Sequence, residues 1–342
     1  MVGSGAVIRR NAVIKSRSSS KTLSLVQREA PTKRFASIDI GTNTILLLVA
    51  ELEENGTFRV LEDRAEITRL GEGVDRTHRI GADGEERSVQ VLNSYLERCA
   101  KLGVDEIVVV GTSALREARN ARIFKARLKQ ELGLDLRVLS GEEEAAYSYL
   151  AVRRGLDLEE NEVLVVDVGG GSTELIWGKG GALYRLISLN LGSVSLTERF
   201  LNSDPVREEE CAELTRTIDR GLDPLRDDWG MEGKFNAMVG IAGTFTTLAA
   251  IEKGLRQYSH SDVHGSRLGR AEVQRQIQLF KQKTIAERKE IPGLEPKRAD
   301  VILAGALLID RIMALFRIDR VTVSDQGIRY GLLHERIAIS RQ

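Results

Sequence analysis

The sequence predicts an α/β protein made of two copies of one unit, each running three strands, helix, strand, helix, strand, helix. Three observations predict it. Two short runs, Ala36-Ser-Ile-Asp-Ile-Gly-Thr-Asn-Thr44 and Val165-Val-Asp-Val-Gly-Gly-Gly-Ser-Thr-Glu174, each carry one aspartate among apolar residues, then glycine and small polar residues. Each run opens a series of β-type segments that gives way to segments of helical period. At 342 residues the chain is long enough for two domains, each burying its own core.

Residues 35–40 and 45–52 read as an apolar hairpin around Gly41-Thr-Asn, with 58–64 as a third strand. Apolar residues at Val89, Leu92, Leu96 and Cys99 give 83–102 a helical period. A short buried strand at 107–110, one helix over 113–132, a strand at 136–139 and a helix over 142–153 complete the first series. After the polar stretch 155–161 the plan repeats, with a hairpin of 163–168 and 173–178 about Gly169-Gly-Gly171 and a strand at 182–189. Helices follow from Ser193 and from Pro205, then a strand at 237–241 and a helix over 246–251. A polar region at 258–265 and an apolar helix over 299–316 lead to a strand at 321–323 that runs into Ser324-Asp-Gln-Gly-Ile-Arg329. That order, met twice, describes two ribonuclease-H-like domains around a cleft. The expected division is a basic extension over 1–33, a first domain over 34–140 and a second over 141–342, whose last helix is free to pack back on the first.

Bulk properties exclude several classes. Lysine plus arginine equal aspartate plus glutamate at 50 each, so no global field recruits nucleic acid, and no specific nucleic-acid partner is expected. No apolar run approaches the length of a membrane span. Cys99 and Cys211 are far apart and outside any metal-ligand spacing, as expected of reduced thiols in a cytoplasmic protein. His260 and His264 lie in a loop-like stretch with no third ligand nearby, so no zinc site is expected. The extension carries Arg9, Arg10, Lys15, Arg17, Lys21, Arg28 and Lys33 against Glu29 alone. That composition, without a secretory core, suits an organellar transit peptide or a basic tail touching polyanions, and more simply a disordered extension.

The chemistry concentrates at the two loops. A buried aspartate is costly unless its charge is compensated, and a glycine turn after it lets backbone N–H groups approach an anion. Asp39 and Asp167 are therefore read as holding Mg²⁺, with Mn²⁺ as an alternative, mostly through water. Glu174, an acid in a β-type run, is read as a third carboxylate of that set. Gly169, Gly170, Gly171, Ser172 and Thr173, with Gly41, Thr42, Asn43 and Thr44, supply neutral donors for phosphate oxygens. The strand-to-helix turn at 110–120 offers Arg116 as an anion contact, and Gly243 with Thr244 forms a second such junction. At Leu139-Ser-Gly-Glu-Glu-Glu-Ala145 three acids open a helix, where capping accounts for one or two. Pattern alone does not choose which of Glu142, Glu143 and Glu144 orients an attacking water.

Taken together and in order, these motifs resemble the exopolyphosphatase / guanosine pentaphosphate phosphohydrolase family, as do Arg298-Ala-Asp-Val-Ile-Leu-Ala-Gly-Ala and Val323-Ser-Asp-Gln-Gly-Ile-Arg-Tyr-Gly-Leu-Leu. The likeness runs from about Phe35 to Leu333. It implies the sugar kinase/Hsp70/actin-type fold and hydrolysis of the terminal phosphate of polyphosphate or of a guanine alarmone, pppGpp. It implies Glu144 as the catalytic glutamate, Asp167 and Glu174 as metal-associated acids, Asp39 with residues 41–44 as the first phosphate loop, and Arg116 as a basic residue facing the chain. The chain resembles the short two-domain form and leaves room for a homodimer. A kinase of the same superfamily would need an acceptor pocket and a clear adenosine-binding segment, for which residues 242–247 match only in part. A sensor without turnover would have no use for a water-orienting acid at Glu144.

Overall fold

The computed structural model describes residues 33–53, 57–158, 161–225, 229, 235 and 237–340, so all but the last residue of the basic extension lies outside the described residues. Among the described residues eleven strands form two sheets. In the first, β1 (Arg34–Ile40), β2 (Thr44–Leu52), β3 (Phe58–Ile67), β4 (Glu106–Gly111) and β5 (Leu136–Val138) are ordered β3-β2-β1-β4-β5. The second holds β6 (Glu162–Val168), β7 (Thr173–Lys179), β8 (Ala182–Leu189), β9 (Ala237–Ile241), β10 (Arg267–Gly269) and β11 (Arg320–Val323). Its order is β10-β11-β9-β6-β7-β8, the first sheet's order with one edge strand added. Both sheets pair their first three strands antiparallel and their fourth parallel to the first, the ribonuclease-H-like arrangement.

Strand alternation decides what faces the gap between the sheets. Ile38 and Ile40 pack on one face against Leu92, Phe124 and Leu128 of the helices Ala82–Lys101 and Ala121–Leu132. Phe35, Ser37 and Asp39 take the opposite face, where Phe35 meets Ala151, Tyr330 and Leu333, and Ser37 Oγ donates to the Arg329 carbonyl at 2.7 Å. In β6, Leu164, Val166 and Val168 join the large core under the helices Ala242–Glu252 and Ile302–Leu315. Val163 and Val165 instead meet Ala145, Tyr149 and Val152 of the helix Gly141–Gly155, and Asp167 falls on that side. Both aspartates thus face the side on which the helix Gly141–Gly155 and the last helix, Ile328–Ser340, lie.

Several elements differ from the sequence reading. The single helix expected over 113–132 is two, Ser113–Glu117 and Ala121–Leu132. The break arises because Asn120 is occupied elsewhere: its side chain accepts the Ile80 N–H at 2.8 Å and donates to the Ile80 carbonyl at 3.0 Å, while the Arg119 N–H reaches the His78 carbonyl. Tertiary hydrogen bonds here outweigh propagation of the helix. The helix after Pro205 begins at Glu208, and the one expected at 246 begins at Ala242. Among the described residues no helix is long and apolar enough to cross a membrane.

Candidate active site

A cleft of about 660 Å³ is lined by residues of both sheets and of the loops at their carboxyl ends. Its wall from the first sheet is the β1–β2 loop, 41–44, and its wall from the second is the β6–β7 loop, 169–172. The two loops are built alike, each closed by a glycine N–H bonding the carbonyl three residues on, Gly41 to Thr44 and Gly169 to Ser172, both at 3.0 Å.

In each loop the two central residues have unequal backbone groups. The Thr42 carbonyl accepts from Gly71, and that of Asn43 accepts from Thr68 and Arg69. The carbonyls of Gly169 and Gly170 accept from Ser193, Val194 and Ser195 at the start of the helix Ser193–Phe200. Among the described residues the backbone N–H groups of Thr42, Asn43, Gly170 and Gly171 have no acceptor. Donors without backbone acceptors on two loops that line one cleft make an anion-binding concavity. The loops approach closely. A Cβ on Gly171 would lie 2.5 Å from Ser113 Oγ and 3.0 Å from Thr42 Oγ1, which is why that position is glycine.

Carboxylates form the floor. Asp39 is buried, and its Oδ1 has no hydrogen-bond partner. Burial, reinforced by the charges of Glu144 and Asp167, pushes its pKa up to about 8, against a lowering influence of Arg329. Asp167 accepts from Ser148 Oγ at 2.9 Å, which partly offsets the upward push of burial. Glu174 accepts from Ser188 Oγ at 2.6 Å and is raised by burial and by Glu144 and Asp167. Buried like charges with an orphaned oxygen among them call for a compensating cation. Among the described residues no group of three or more acids, histidines or cysteines is placed to hold a metal ion directly.

The choice among the three glutamates follows from the helix start. Ser140 caps it, and Glu143 closes the capping box by accepting the Ser140 N–H at 2.8 Å, while Glu142 is exposed. Glu144 is buried and lines the cleft. Burial pushes its pKa up to about 7, opposed by the Arg116 guanidinium that donates to its Oε2.

The cleft is lined by Asp39, Gly41, Thr42, Asn43, Thr44, Glu144, Asp167, Gly169, Gly170, Gly171, Ser172 and Gly243. Four candidates lie outside its lining. Arg116 turns to Glu144 and to the Leu139 carbonyl, at 3.1 Å for the latter. Thr173 Oγ1 donates to the Leu191 carbonyl at 2.6 Å, Thr244 packs against Gly305, and Glu174 is covered behind the loop.

Two groups stand out that motif reading did not assign to the site. Arg298 lines the cleft on the wall of the second sheet, where burial lowers its pKa, and its Nη2 donates to Thr44 Oγ1 at 3.1 Å. Asp325, in the loop after β11, binds His260 and His264 and is thereby held well below the usual carboxylate range despite burial. The Arg298-Ala-Asp and Ser324-Asp-Gln-Gly strings carried the signal, but nothing local shows which way their charges point.

With this geometry in place, comparison with known proteins is direct. The chain matches the Ppx/GppA phosphatase family over residues 48–338. It belongs to that family. Exopolyphosphatase 2 of Mycobacterium tuberculosis is 33% identical to this Ppx/GppA chain over 311 residues, which is 87% of this chain and 97% of that protein. A bifunctional 3-dehydroquinate synthase/phosphatase of Fusobacterium nucleatum is 32% identical over 314 residues, and there the chain spans about half of the relative, 46% of its length. The crystal structure of the Aquifex aeolicus Ppx/GppA family member is 37% identical with a TM-score of 0.76, over 91% of this chain and 100% of that one. An exopolyphosphatase from Cytophaga hutchinsonii gives 0.83 at 26% identity, over 90% and 98%. This Ppx/GppA chain is accordingly an enzyme of the phosphoanhydride hydrolase class.

Proposed function

We propose that this enzyme hydrolyses the terminal phosphate of linear inorganic polyphosphate. The observation that carries the reading is the position of Glu144, a buried carboxylate in a cleft whose two loops offer unpaired N–H groups. In this reading those N–H groups, with Asn43 and Ser172, bind the oxygens of the terminal phosphoryl group. Arg298 meets the charge of the phosphate behind it. Asp39 and Asp167, which line the cleft, would hold Mg²⁺, or Mn²⁺, chiefly through water, with the covered Glu174 adding negative charge behind them. When bound, the cation offsets charge on the phosphoryl oxygens. Glu144 orients a water and takes its proton as the water oxygen bonds to phosphorus, and the bridging oxygen leaves with the electron pair of the broken bond.

One observation extends the reading to pppGpp. Leu255, Tyr258 and Pro296 line the cleft beside Arg298, and Tyr258 is 47% exposed. A polyphosphate has no use for that apolar surface, whereas a purine can lie on it.

The test is phosphate release from long-chain polyphosphate, tripolyphosphate, pppGpp and ATP with Mg²⁺, in the wild type and Glu144→Gln. Loss of about 10²–10⁴-fold in kcat for the variant is expected of a general base. No release from polyphosphate by the wild type would end the proposal, and full activity in Glu144→Gln would remove Glu144 from its role.

A further inference from the structure

Arg69 combines two features that rarely coincide. It is a non-glycine residue with φ 53°, in the left-handed region. Its guanidinium also makes a two-point ion pair with Asp300, Nη1 to Oδ2 at 2.8 Å and Nη2 to Oδ1 at 3.0 Å, with Nη2 reaching the Lys297 carbonyl at 2.9 Å. The strained backbone is fixed at the other end too. The N–H groups of Thr68 and Arg69 both donate, at 3.0 Å, to the carbonyl of Asn43 in the first phosphate loop. One residue therefore joins that loop to the opposite wall of the cleft. The segment it grips, 297–300, contains Arg298, whose guanidinium meets Thr44 of the same loop.

We infer that Arg69 is a positioning residue for substrate binding: a strut that fixes the spacing between the first phosphate loop and Arg298, so that an anionic chain is met from both walls at once. The inference rests on the polyphosphate reading for its substrate but not for its geometry. A left-handed arginine is strained and persists only where its surroundings fix it. The fork of an arginine suits this task, because two parallel bonds set orientation as well as distance. The pair is also sheltered, with side-chain exposures of 33% and 24%. A lysine in this place would keep the charge and lose the fork.

Glycine tolerates the left-handed region, so Arg69→Gly removes the strut without straining the backbone and serves as the variant that folds. Asp300→Asn breaks the same pair from the other side. Each is expected to raise KM for polyphosphate about five- to tenfold, with kcat changed less than about threefold. The double variant is expected to cost no more than either single one, since both remove one interaction. Hydrogen exchange in ligand-free protein provides a readout that needs no substrate: amides in 293–300 exchange faster in both variants. Unchanged exchange there, additive KM effects, or a loss confined to kcat would each overturn the strut. If the wild type leaves polyphosphate intact while exchange responds as expected, the substrate reading fails and the strut stands.

Discussion

Asp167 and Glu174 stand directly opposite each other across the β6–β7 ladder, whereas at the matching place in the first hairpin Asp39 is opposed by Leu46. The same frame therefore carries two acids in one copy and one in the other. Glu174 is buried near the charges of Glu144 and Asp167, which together with burial raise its pKa. Replacing it by glutamine removes a buried like charge at nearly constant shape. Glu174→Gln is expected to raise Tm in metal-free buffer while lowering Mg²⁺-dependent activity. Calorimetry beside a Mg²⁺ titration of turnover checks this, and a variant both less stable and fully active would contradict it.

The acid floor also sets a pH dependence. Asp39, Asp167 and Glu144 have folded-state pKa values raised to about 8, about 6 and about 7. Over the interval between their ordinary values and these, the folded chain holds protons that the unfolded chain has shed. Their contribution to stability is thus complete below the ordinary carboxylate range and is lost as pH rises through the raised values. The Tm of metal-free protein should fall from about pH 5 to about pH 9, and Mg²⁺ should restore it most at the alkaline end. A Mg²⁺ effect that does not vary with pH would count against these acids as the site of binding.

His334 gives the opposite sign. It lies in the last helix with its ring 5.1 Å from that of Phe58, and its Nε2 is buried without a partner. Burial, helped by the charge of Arg154, lowers its pKa to about 4. Its contribution is present above the ordinary histidine value and is lost as pH falls through about 4. His334→Phe should therefore flatten the acid limb of a urea-denaturation series against pH and leave the neutral limb in place.

Asp63 tests the far end of the cleft. Its carboxylate pairs with Arg329 at 3.1 and 3.0 Å and accepts from Tyr330 Oη at 3.0 Å, with both charged side chains 8% exposed. Asp63→Asn leaves the guanidinium buried without its counter-charge, at a cost of about 3–5 kcal/mol. Denaturant unfolding measures it, and a change under 1 kcal/mol, taken as about the value of an exposed pair, would mean that Arg329 finds water instead.

Much of the site was legible because its residues belong to local patterns. An aspartate between apolar residues and a glycine turn marks a strand end, and alternation then fixes the face on which Asp39 and Asp167 fall. By pattern alone Glu144 is one of three adjacent acids; the family resemblance implies it, and in the fold Glu143 is taken by the cap while Glu144 is buried in the cleft. Arg69, Arg298 and Asp325 were not legible, since each acquires its role from a partner far along the chain. The Arg69 to Asp300 pair spans 231 positions and Arg298 to Thr44 spans 254. The break at Asn120 failed for the same reason: periodicity cannot see the Ile80 backbone waiting 40 residues earlier.

The last helix carries one more consequence. It follows β11 of the second sheet, yet Tyr330 and Leu333 cover Phe35, Leu48 and Ala50 of the first, and the Arg329 carbonyl is bound by Ser37, 292 positions away. During synthesis the first sheet must wait, with part of one apolar face uncovered, until the segment around residues 330–333 has left the ribosome. A gene cut between the two sheets should therefore yield an amino-terminal fragment that aggregates alone and is rescued only by co-expression of the remainder.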